Sequence, residues 1–145
     1  MKRDQGIDVL VTGDISEVDG YPNWMRECSK ASHVEVCTPL WHIERTILIE
    51  RLFSDGFNVV FSCVKMPWFT RDWVGRSLDL TAYCELKYIA ANTGADLSGE
   101  NGEYHTVVLD SPSFTKKLLA NSFSIIQADS LMYLSTRDIS ICHKE

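Results

Sequence analysis

Long apolar runs are missing from this sequence. None approaches the roughly 20 residues that a membrane-spanning helix needs. The basic start MKRDQ is followed by a short apolar stretch with no small-residue cleavage site, which argues against a signal peptide. Positive charge is scarce as well. Fourteen Lys and Arg face twenty Asp and Glu, a net charge of −6, so a direct grip on nucleic acid or on an anionic membrane is not expected. Cysteine is present in an odd number, five, and no pair has CxxC spacing. That excludes a disulfide framework or a zinc ribbon and fits free thiols in a reducing cytoplasm. The four histidines form no HExxH pattern, and the eight glycines include no Gly-Gly pair. Repeats and low-complexity tracts are absent too. What remains is 145 residues, 45% hydrophobic and 23% charged, enough to build a core without staples.

The order of patterns predicts an α/β fold. Residues 7–12 form a nearly continuous apolar run ending in Gly13-Asp14, as buried parallel strands do. A helix is expected over 23–32, a strand over 34–37, a helix over 43–54 from its apolar spacing, and a buried strand over 58–66. Strand and helix alternate, which argues for parallel pairing. A helix over 80–93 stops at Gly94. Beyond it the pattern turns β-rich at 104–110, 122–128 and 131–141, and the last two are joined by Asp129-Ser130 as a hairpin. A buried strand so close to the first residue needs neighbours on both sides, so the expectation is a sheet entered in its middle.

Two places carry candidate chemistry. Gly13-Asp14 follows a strand, where parallel sheets place ligands. Gly13 permits close backbone approach, and Asp14 either holds a cation or caps a turn. The second is 99–106, GENGEYHT, with two glycines, two carboxylates and an imidazole before a strand. Glu100 and Glu103 either converge on a pocket, for Mg²⁺, an ammonium ion or a proton, or belong to a solvated loop. His105 adds a donor or a base near neutral pH. The aromatic group Trp68, Phe69 and Trp73 is either a core plug or a binding lip, and Trp41 is a core anchor or a stacking surface. Lys65 faces an anion or snorkels along the surface.

The segment GENGEYHT followed by LDSPSF at 109–114 resembles the signature of the diphthine–ammonia ligase family, GE-x-GE-[YF]-[EH]-T and LD-x-P-x-F. VTGDI at 11–15, WMRECSKASHVEVCTPLW at 24–41 and GFNVVFSCVK at 56–65 extend the resemblance in order and spacing. It covers residues 7–114. The resemblance implies an N-type ATP pyrophosphatase (PP-loop) fold. Here that would be a partial parallel-sheet remnant at 1–55, followed by a smaller α+β substrate-side domain at 56–145. It implies ATP and Mg as cofactors. It also implies a reaction in which the carboxylate of diphthine on elongation factor 2 becomes an acyl-adenylate that ammonia converts to an amide. By position, Gly13 and Asp14 fall on the nucleotide side. Glu100, Glu103 and His105 are the catalytic candidates, and Gly99, Gly102, Tyr104 and Thr106 the substrate-binding ones. Thr106 and Asp110 are expected to support the loop. Two departures stand out. The family's SGGKDS phosphate loop is absent, which implies a chain incomplete for catalysis, or a binding or regulatory module. His105 stands where members assigned to diphthamide synthesis often carry Glu, which opens the possibility of a different acceptor. A bare sheet edge is expected to lead to aggregation or to a dimer.

Overall fold

Short β-prone runs in the first 44 residues pair as expected, but thinly. The structure, a computed structural model, describes residues 6–17 and 20–144; the basic start at 1–5 lies outside them. It divides into two compact units, residues 1–44 and 45–145. In the first, β1 (Val9–Val11) pairs in parallel with β2 (Glu35–Cys37), Leu10 opposite Val36. The crossover between them is α1 (Trp24–Ser29), continued by a 3-10 turn at Lys30–Ser32. Asn23 caps α1, its side chain accepting from the Arg26 amide. The expectation of a buried first strand does not hold. Val9 is 47% and Val11 64% exposed, because a sheet of two strands leaves a face that none of the unit's described residues covers.

The second unit carries the core. The helix α2 (Arg45–Ser54) and the helix α3 (Leu80–Thr93) pack with a four-stranded sheet of order β4-β3-β6-β5. Its strands are β3 (Asn58–Lys65), β4 (Tyr104–Asp110), β5 (Lys116–Ala128) and β6 (Leu131–His143). All its pairings are antiparallel. The parallel expectation is therefore right for β1 and β2 and wrong for β3. An apolar run shows that a strand is buried, but not which direction its neighbours take. Asp79 caps α3 through the Ala82 amide, and Gly94 ends it at φ 76°. The hairpin turn falls at Asp129, φ 52°, as its sequence suggests. β5 starts six residues earlier than its pattern indicated, since 116–121 is strand only through pairing with β6.

Phe61 meets Trp73 and Tyr104 edge-on, and Phe69 meets the same two rings. Phe69 and Trp73 are buried, so this group is a core plug. Each such ring stabilises the unit by about 1.5–3 kcal/mol through burial alone. Lys65 lies over the Trp68 ring and Arg76 over Trp73, with Arg76 also gripping Glu85 through two nitrogens. No helix among the described residues is long and apolar enough to cross a membrane.

Candidate functional site

Between α3 and β4 the chain must reverse within about ten residues, and it does so around two carboxylates. Glu103 is only 3% exposed. Its Oε1 accepts from the Asp96 amide at 2.8 Å and its Oε2 from the Asn101 amide at 3.1 Å. Asp96 Oδ1 accepts from the amides of Ser98, at 2.8 Å, and Glu100, at 3.4 Å. Its Oδ2 faces Arg45 Nε, from the start of α2, at 2.7 Å. The amides of Gly99 and Gly102 close turns onto the carbonyls of Asp96 and Gly99. Every amide from residue 98 to 102 is thus already donated within the loop. A phosphate cradle needs such amides pointing outward, so this loop does not hold a triphosphate.

Tyr104 anchors the loop to the core. Its ring is buried, and its hydroxyl donates to the Leu97 carbonyl at 2.6 Å. Burial, and then the nearby charges of Asp96, Glu103 and Glu100, push its phenol well above the usual range. Gly99 sits at φ +74°, and an added Cβ would lie 2.9 Å from the Tyr104 carbonyl oxygen. Gly102 has φ +81° with open space around it. The glycine motif therefore has two distinct causes, close approach at Gly99 and backbone conformation at Gly102.

The remaining loop candidates point elsewhere. Glu100 and Asn101 are exposed. His105 and Thr106 are exposed on β4, opposite Cys63 and Phe61. Asp110 does not support the loop. It sits at the far end of β4, where Lys144 Nζ pairs with it at 2.5 Å and also donates to the Ser111 carbonyl. Sequence reasoning missed Asp96 and Arg45. The Asp96-x-Ser98 spacing just after a helix-ending Gly94 is the signal that could have found Asp96, because Asp accepts from the amide two residues on.

In the first unit, Gly13 and Asp14 follow β1. Asp14 Oδ2 accepts from Asn23 Nδ2 and from Thr12 Oγ1, both at 2.7 Å. These bonds, Asn23 first, hold its carboxyl below the usual range. Asp14 lines a cleft of about 300 Å³ together with Glu17, Tyr21 and Trp24. Two carboxylates at one cleft oppose a phosphate. No cluster of three or more potential metal ligands exists among the described residues.

Comparison with known proteins follows the same boundary. The sequence model of a family described as diphthamide synthase C-terminal domain matches residues 44–136. A diphthine--ammonia ligase of Schizosaccharomyces pombe (strain 972 / ATCC 24843) is 30% identical over 93 residues, which are 63% of this chain and 15% of that protein. The matched stretch therefore spans less than a fifth of that relative's length.

Proposed function

Because the chain belongs to the diphthamide synthase C-terminal domain family, we propose that it supplies the acceptor-handling part of an ATP-dependent amide ligase. The relative's name supplies the acceptor, diphthine, and the nucleophile, ammonia. ATP would supply the activation of the carboxylate, with pyrophosphate leaving as the adenylate forms and AMP leaving when ammonia attacks, and Mg²⁺ would screen the phosphates. Neither the 96–104 loop, whose amides are donated inward, nor the cleft beside Asp14 and Glu17 fits a triphosphate, so that chemistry belongs to a partner segment or chain carrying the phosphate loop. Five free thiols fit work in the cytoplasm.

One observation supports this reading above the others. The loop 96–104 is fixed from inside by Glu103 and Asp96, while Glu100 and Asn101 face outward. An acceptor platform needs that arrangement: a rigid backbone presenting a small set of polar groups. Glu100 is the outward acid, placed to orient ammonia or take a proton from the attacking amine. Glu103 acts by positioning. Tyr104, Gly99 and Gly102 set the backbone path, and His105 and Thr106 extend the platform along β4, where they select among acceptors on elongation factor 2. The lack of outward loop amides also favours a second reading, in which the chain keeps the acceptor platform as a binding module without adenylation.

The test is complementation. The chain is mixed with ATP, ammonium chloride and diphthine-bearing elongation factor 2, with or without the pyrophosphatase domain of a relative. Amide formation is read by mass spectrometry. We expect amide only with the added domain, and at least a tenfold loss with Glu100→Gln at unchanged ATP affinity. Binding of the elongation factor without amide in either case selects the module reading, and no binding at all rejects both.

A further inference from the structure

The cleft in the first unit has a composition that the ligase reading leaves unused. Tyr21 and Trp24 line it, 74% and 70% exposed, so their ring faces are open to solvent rather than packed in a core. Asp14 and Glu17 line the same cleft. Among the described residues neither acid has an ion-pair partner. One residue ties the walls together. Asn23 accepts the Arg26 amide with Oδ1 at 3.0 Å, which caps the helix whose first residue is Trp24, and donates from Nδ2 to Asp14 at 2.7 Å. The ring-bearing turn and the carboxylate are thus held by the two ends of a single amide side chain.

The chemistry narrows the occupant. Two acids turn away phosphate and carboxylate ligands. A bare metal ion gains nothing from two ring faces and lacks a third ligand among the described residues. A neutral apolar group gains nothing from the acids. A cation with an apolar jacket gains from both, because ring faces attract alkylated ammonium groups and a nearby carboxylate offsets their charge. We propose that this cleft binds an alkylated ammonium group, with a quaternary ammonium as the best fit. This preference comes from the cleft's own residues and is independent of the acceptor reading above.

The test uses the whole chain and tetramethylammonium chloride as probe, followed by ¹H–¹⁵N NMR at constant ionic strength. Saturable shifts are expected at the Trp24 indole and the Asn23 side-chain amide. Tert-butanol, the neutral probe of similar shape, should bind at least about fivefold more weakly, as should the probe to Asp14→Asn or Trp24→Leu, in line with the size of cation–ring attractions. Trp24→Phe, which keeps a ring, should retain more affinity than Trp24→Leu. Equal binding of tert-butanol, absence of saturation, or displacement of the probe by Mg-ATP at equal concentration would overturn the proposal. Probe binding without amide formation in the complementation assay would sink only the ligase reading. Amide formation without probe binding would sink only this one.

Discussion

Glu103 gives both carboxylate oxygens to backbone amides inside a turn. Glu103→Gln keeps its shape but turns an NH₂ towards one of those donors, so it should destabilise the chain by about 1–3 kcal/mol in urea unfolding. Glu100→Gln, on an exposed side chain, should stay within about 0.5 kcal/mol. A loop whose two acids were interchangeable would give equal losses. Gly99→Ala forces a Cβ to 2.9 Å from a carbonyl oxygen at positive φ, whereas Gly102→Ala meets only the positive φ. The first should therefore cost clearly more than the roughly 1–2 kcal/mol expected of the second. Tyr83 and Tyr104 titrate above their ordinary range. Burial raises both, Tyr83 also donates to Glu50, and its phenol is pushed up to about 12. The stability they contribute is fully present below pH 10, the unfolded value, and is lost as pH rises from there through the folded values. Tyr83→Phe should flatten that alkaline decline in pH-dependent melting, and an unchanged slope would contradict the assignment. The glycines and acids of the site were legible in the sequence, since their density in eight residues is rare. Which acid turns inward was not, because composition carries no side-chain direction, and Asp96 lay just outside the dense stretch.

Among the elements, α3 and β4 stand where their patterns put them, at Leu80–Thr93 and Tyr104–Asp110. Both have local signals at their ends: Asp79 and Gly94 for the helix, and the Gly-rich loop before the strand. Asp79→Ala removes the bond to the Ala82 amide and should cost about 0.5–2 kcal/mol, read by thermal unfolding. Asp79→Ser should recover most of that loss. The direction of β3 was not legible. Its partners come from residues 104–110 and 131–133, and nothing within 58–65 encodes their orientation. The early start of β5 is the same case, a strand made by its partner rather than by its own sequence.

At the scale of the whole chain, the main buried cluster, from Ile49 to Met132, lies in the second unit. In the first, Ile15 is the one hydrophobic residue buried among those described. Unequal burial predicts unequal protection. Amides of β1 and β2 should exchange with deuterium at least about a hundredfold faster than those of β3 and α3, as amides released by local openings do relative to those that need global unfolding. Uniform protection would show that the units unfold together. A dimer through the edges of β1 and β2 would protect those strands in a concentration-dependent way, and sedimentation at several dilutions separates that case.

The inward-facing acids have one more consequence. A loop scaffolded from within keeps its backbone path whichever side chains it turns outward. Natural drift at positions 100 and 101 could therefore redirect such a platform to new molecules while the turn beneath it is inherited intact.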